Sequence, residues 1–304
     1  MFELSTDVAS PELLERGDYS AYDALYLGDF SCPEYPGNFS SHPELLPDAV
    51  KAVKAAGKRC YLRLYAVPSN HDLPWVEKVV EAALQLPLDA LEVHNLGLLR
   101  LLRAMGSRLP VHLGVFGNLY TDATARVLKE WGVTRVYPNP ELSLKELVYI
   151  RDRTPVDVLV PVHGKIPLVV SETCFILENS AGGPNRPCGF ACAQDHWLTR
   201  AEGEWSLKDT GRMTLSGSDL CMLEHVGDLA AARLGAFYVQ SHGESAEWVS
   251  RVGRAYRDAL GRAFAGEPLP DLAERTAELR ALARMGLCNG YYFEGAGRRY
   301  VGRA

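Results

Sequence analysis

Short apolar, β-branched runs alternate with longer amphipathic stretches along the chain. Residues 2–5, 24–28, 60–65, 90–93, 111–115, 135–137, 158–162 and 237–240 read as strands. Between them, residues 11–16, 47–56, 75–86, 96–105, 121–131 and 142–152 carry apolar side chains at helical spacing. Asp89-Ala90-Leu91-Glu92-Val93, followed by the helical pattern from Leu98 to Met105, is a plain strand-to-helix step. Such alternation implies parallel strands joined by right-handed crossovers. Eight strand candidates predict an α/β fold of the (β/α)8 TIM-barrel type, with chemistry at the C-terminal mouth. A doubly wound open sheet is the structural alternative, but no glycine-rich phosphate fingerprint follows the first strand.

The regular pattern fails between residues 164 and 217. Ser180-Ala181-Gly182-Gly183-Pro184-Asn185-Arg186-Pro187 is too rich in turn formers for the interior of a helix or strand. Long irregular connections tend to be functional. The expectation is a single barrel-like domain over residues 1–304, with residues 164–217 an irregular cysteine-bearing insertion near the mouth. Helical patterns return at 223–234, 247–264 and 272–285.

The N-terminus is acidic at once and lacks a basic, then apolar, leader. No apolar run approaches the length that spans a bilayer. A cytoplasmic location is therefore expected. The formal net charge of −6 argues against an extended phosphate-contacting surface, and so against nucleic acid as a partner.

Seven cysteines stand in the chain, an odd number that internal disulfides cannot use up. In the cytosol thiols stay reduced, which leaves buried structural thiols or metal ligands. Cys174, Cys188 and Cys192 share the irregular stretch. Glycines and prolines between the first two let the chain fold back on itself. Three soft thiolates in one loop suit iron–sulfur or zinc, and the spacing alone does not choose. Cys32, just beyond the strand ending at Gly28, is the candidate fourth ligand, and Cys221 is its alternative. Cys60 and Cys288 lie in apolar surroundings and read as buried structural thiols.

Several segments then resemble, in order, the collagenase-like "peptidase U" superfamily, and within it the UbiV-type (UbiU/UbiV) proteins of oxygen-independent ubiquinone biosynthesis. They are Tyr26-Leu27-Gly28-Asp29-Phe30-Ser31-Cys32, the run from His163-Gly164-Lys165-Ile166-Pro167-Leu168 to Cys174, and Cys188-Gly189-Phe190-Ala191-Cys192. Met213-Thr214-Leu215-Ser216-Gly217 and Cys288-Asn289-Gly290-Tyr291 complete the set. The resemblance implies a barrel whose Cys32, Cys174, Cys188 and Cys192 hold a [4Fe–4S] cluster. It implies a heterodimer with a UbiU-like sister protein. It also implies hydroxylation of a small aromatic substrate without O2, with prephenate as the oxygen donor. Residues 33–39 depart from the basic run that follows the first cysteine in UbiV-type proteins. A hydroxylase for another substrate, such as an RNA base, thus stays open, as does a non-catalytic iron–sulfur or zinc-stapled partner subunit. No GxSxG elbow, HExxH motif or cysteine–histidine signature supports proteolysis.

Polar residues at strand ends are candidate substrate contacts. Asn118, His94 and His163 head this group; Asn95, Tyr120, Asn139, His242 and Glu244 follow. No general acid or base is assigned.

Overall fold

In a computed structural model, residues 1–180, 188–202, 205–295 and 297–302 are described. Eight parallel strands close on themselves: β1 (Glu3–Val8), β2 (Ala24–Leu27), β3 (Arg59–Arg63), β4 (Ala90–Val93), β5 (Val111–Leu113), β6 (Val133–Val136), the first half of β7 (Asp157–Val170), and β11 (Ala236–Gln240). β11 pairs with both β7 and β1, which removes the sheet edges. The chain is a TIM-barrel-like α/β protein.

Helices α1 (Pro11–Arg16), α2 (Leu46–Ala55), α3 (Leu73–Leu84), α4 (Leu96–Ala104), α5 (Asp122–Glu130) and α6 (Leu144–Arg153) each follow the strand of the same number. α8 (Val226–Ala231), α9 (Ala246–Ala265) and α10 (Leu272–Leu282) complete the outer ring. Their starts are written in the sequence. Asn95, Thr121, Ser143, Ser245 and Asp271 each turn a side-chain oxygen to a backbone N–H of the first turn. Ser143 and Glu146 form a reciprocal capping box.

Alternation along the strands separates two layers. Leu25, Leu62, Leu91, Val136, Val160 and Phe237 point out and join the helices in one apolar core. Cys60, Cys221 and Cys288 belong to that core, as expected of structural thiols. Tyr256 Oη lies 3.7 Å from Cys221 Sγ, so Cys221 faces α9. It is not the alternative ligand considered above.

The stretch from 164 to 217 is far less irregular than its sequence suggests. β7 runs on to Val170 and pairs antiparallel with β10 (Met213–Cys221). β10 in turn pairs with β9 (Ser206–Asp209), and β9 with β8 (His196–Thr199). A short helix, α7 (Phe175–Glu178), lies between β7 and β8, and β12 (Leu287–Cys288) flanks β10. Register slips between β7 and β10 break the alternation that would have betrayed these strands. Of the turn-rich run at 180–187, only Ser180 lies within the described residues. Met213 and Leu215 of β10 pack on Phe30 and Ala66, which roofs the mouth above β2 and β3.

Candidate functional site

The loop after β2 is built to present Cys32. Gly28 takes a φ of +102°, and a side chain there would begin 2.0 Å from Ser40 Oγ. Asn38 sits wholly buried inside the loop. Its Nδ2 donates to the carbonyls of Asp29 (2.8 Å) and Cys32 (2.9 Å). Its Oδ1 accepts the N–H groups of Asp29 (2.8 Å) and Ser40 (2.9 Å). One amide thus fixes both ends of the turn that carries the thiol. Asn38→Ala is expected to cost about 1–3 kcal/mol, because buried backbone groups lose their partners. Cys32 should then alkylate faster with iodoacetamide. An unchanged melting temperature and alkylation rate would show that Asn38 does not hold the loop.

The other three cysteines gather from the opposite side. Gly211 forms the tight turn between β9 and β10 at φ +89°. Its missing side chain leaves room for Cys174: Sγ stands 2.8 Å from where a Cβ would be, and Cys192 Cβ stands 4.0 Å from the same point. The Gly211 carbonyl accepts the Phe175 N–H at 2.7 Å, which ties the Cys174 segment to this turn. Cys192 lies in a 3-10 turn, Ala191–Ala193. Burial raises its thiol pKa, and the negative charges that Cys188 and Cys174 would carry raise it further. Burial first, and then Asp29, push Cys32 up to about 12, with Cys192 adding to the effect and Arg212 opposing it. Cys32 and Cys192 therefore sense each other, and Cys192 senses the remaining two. The structure brings all four predicted thiols to one side of the mouth. Among the described residues, no group of three or more His, Cys, Asp or Glu side chains is arranged to hold a metal ion.

A narrow cavity of about 20 Å³, room for a water molecule, lies between the loops after β1, β2 and β11. Asp29 reaches both regions. Its Oδ1 accepts two hydrogen bonds from Ser31 at 2.7 Å, and its Oδ2 lies 3.7 Å from His242 Nδ1. Glu244 lines the same cavity and lies 3.4 Å from Lys165 Nζ, which also meets Asp219 at 2.5 Å.

Arg63 forms the cavity floor and is buried in the barrel. It lies 2.8 Å from Glu92, 3.9 Å from Asp7, and donates to Tyr238 Oη at 2.9 Å. Burial is the largest influence and would raise the Glu92 pKa; Arg63, the His94 hydrogen bond and the neighbouring His94 and His112 together outweigh it and hold the carboxyl well below the usual range. Strand periodicity could have placed Arg63, Glu92 and Asp7 inside the barrel. A buried strand ordinarily reads as apolar, so inward charges carry no signal of their own in the sequence.

The candidate contacts fall in different places. His94 is buried, stacked on Phe30 at 4.3 Å, and held between Glu92 (3.1 Å) and the Phe116 N–H (3.3 Å). Burial lowers its pKa, so it is a neutral brace for Glu92. Asn118 is exposed in the left-handed region at φ 56°, where its Oδ1 accepts from Asn139 Nδ2 at 2.8 Å. It shapes the rim turn. The His163 ring packs toward α9, although the residue lines the small cavity at the ends of β7 and β11. A bulge beside Val162 pairs it with the outward-facing Val239 and turns its ring to Trp248 and Tyr256 of α9.

The closed parallel barrel defines the class as TIM-barrel-like, and the family follows from comparison with known proteins. The chain belongs to Peptidase family U32, which matches residues 17–301. A Methanocaldococcus jannaschii protein named as an uncharacterized protease is 28% identical over 91% of this chain and 69% of its own length. A Haemophilus influenzae protein named tRNA hydroxylation protein P is 24% identical over 88% of this chain and 69% of its own. A solved U32 peptidase structure aligns with 54% of this chain and 69% of its own, at 20% identity and a TM-score of 0.44. The acidic balance pointed away from nucleic acid; a relative named for tRNA hydroxylation gives that expectation no support. Among the described residues no helix is long and apolar enough to cross a membrane.

Proposed function

We propose that this chain is a component of an oxygen-independent hydroxylation system that holds a [4Fe–4S] cluster on Cys32, Cys174, Cys188 and Cys192 and acts on an RNA base. The observation that carries the reading is the nearness of Cys32, from the loop after β2, to Cys192, and of Cys192 to Cys174 and Cys188. The preference for iron–sulfur over zinc rests on the resemblance of the cysteine-bearing segments. When bound, such a cluster passes single electrons. The chain's own part is to shield it with Met213, Leu215 and Phe30, and to order Asp29 and His242 between it and the cavity.

The RNA reading is favoured over a quinone precursor by the relative named for tRNA hydroxylation. A UbiU-like sister protein and prephenate as oxygen donor remain part of the reading as its expected partner and co-substrate. The test is a strain lacking the gene, grown without oxygen. Nucleosides from its total RNA should lack one hydroxylated species in mass spectra, and the intact gene should restore it. Unaltered RNA with depleted quinone would transfer the activity to the quinone pathway. No change in either would remove the hydroxylase reading.

A further inference from the structure

The antiparallel strands that extend beyond the barrel carry an open groove of about 670 Å³, within the size range of ligand sites. Leu168, Trp205, Leu207 and Met285 give it an apolar lining, and Tyr291 and Arg298 reach it from the C-terminal segment. Two glycines shape it. A side chain at Gly217 would begin 2.0 Å from the Ser206 carbonyl oxygen, so β10 and the start of β9 approach closely there. A side chain at Gly297 would begin 3.0 Å from the Tyr291 ring, which therefore lies against bare backbone.

The groove offers rings and a cation, with little else free. Trp205 is 36% exposed and Tyr291 39%, so part of each ring is open to water. The serine hydroxyls are engaged. Ser216 Oγ accepts the Ile166 N–H at 2.8 Å and donates to the Ser218 carbonyl at 2.7 Å. Ser218 Oγ donates to the Met285 carbonyl at 3.0 Å, and Ser206 Oγ pairs with Thr199 Oγ1 at 2.9 Å. Arg298 is the one charged residue among the described residues that line the groove. Among the described residues its guanidinium has no hydrogen-bond or ion-pair partner, and Arg299 is exposed beside it. In a chain of net charge −6, a lining with a free cation and no described carboxylate is a local exception. An apolar peptide would use the rings and strand the cation's capacity. A chain of unpaired nucleotides uses both, since rings take base faces whatever the sequence and a guanidinium takes a phosphate. The groove also leads to the mouth: Ile166 and Tyr291 line both it and the small cavity at the ends of β7 and β11.

We propose that this groove holds a single-stranded polynucleotide, with bases stacked on Trp205 and Tyr291 and a backbone phosphate on Arg298, and that the strand continues past Tyr291 toward the barrel mouth. That this strand is the RNA whose base is modified rests on the hydroxylase reading. The groove's preference for unpaired nucleotides does not.

The test is fluorescence anisotropy of a short labelled oligouridine titrated with the full chain, purified without oxygen. Wild type should bind it, and Trp205→Ala and Tyr291→Ala should each bind about tenfold more weakly, the effect of one lost base–ring stack. Arg298→Gln should weaken binding and lower the salt slope by about 0.7, the share of one phosphate contact on a single strand. Trp131→Ala removes an exposed ring at the end of α5, away from the groove, and should bind as wild type does. Duplex RNA should compete poorly, because its base faces are already stacked. No binding by wild type overturns the proposal and leaves the groove to a protein partner. Equal binding by both ring variants, or an equal loss in Trp131→Ala, overturns it too. The nucleoside spectra of the deletion strain separate the two ideas. A missing hydroxylated nucleoside with no oligouridine binding removes this groove alone, and binding with unaltered nucleosides removes the hydroxylase reading alone.

Discussion

Cys192→Ser, purified without oxygen, should be colourless and nearly free of iron, while wild type is brown. Cys192 is the thiol that couples to the other three. Cys188 and Cys174 act directly on its ionisation, and it acts on that of Cys32. Burial favours the neutral thiol at Cys32 and Cys192, so the apoprotein keeps both protonated at neutral pH. Binding of a soft metal core must displace those protons, and the gain comes from several thiolates acting on one core. A serine oxygen is a hard, weakly acidic donor and cannot replace the sulfur. The control is Cys60→Ser, because Cys60 points into the layer between barrel and helices. It should keep its iron and lose only packing energy. Iron and visible absorbance measured on both proteins decide the matter: full iron in Cys192→Ser removes that residue from the ligand set.

The barrel was legible in the sequence because each strand was followed by an amphipathic helix with its own cap. The alternation of Leu25, Leu62 and Leu91 with Tyr26, Tyr61 and Glu92 needed no tertiary information. The four thiols were legible as residues, and their meeting place was not. It depends on a turn at Gly211, some twenty residues beyond Cys192 in the chain, where the absence of a side chain makes room for Cys174 Sγ. β8 to β10 were missed because β10 is held by pairing with the far half of β7, β9 and β8 add to it in turn, and register slips hide the period of β10. The direction of the His163 ring, toward α9, was hidden for the same reason: one bulge shifts the register of β7 against β11. Asn38 was invisible because its role lies in four hydrogen bonds to backbone atoms, which a residue name does not disclose.

Arg63→Met should destabilise the protein by about 3–5 kcal/mol at neutral pH, the cost of leaving buried carboxylates without their cation. Arg63 and Glu92 are almost wholly buried, 2.8 Å apart, and Asp7 lies close by. The Arg63 guanidinium also rests near the faces of Tyr26, Phe30 and Tyr238. Methionine fills much of the volume and keeps those apolar contacts, so the loss reports mainly on charge. The double variant Arg63→Met with Glu92→Gln should be more stable than Arg63→Met alone, since it removes one of the two stranded anions. The pH dependence gives an independent check. In wild type the Glu92 carboxyl is held well below its ordinary pKa, so its contribution is complete above that ordinary value and fades only as the pH falls through the lowered one. Without Arg63, burial dominates and the carboxyl pKa rises above the ordinary value. Lowering the pH from 7 to 5 should then narrow the gap between variant and wild type, because protonation discharges the stranded group. Urea unfolding at both pH values measures this. A gap that widens on acidification, or single-variant losses that simply add in the double, would mean that Arg63 and Glu92 do not act as a pair. The barrel floor beneath the cavity would then owe its rigidity to the surrounding aromatic rings.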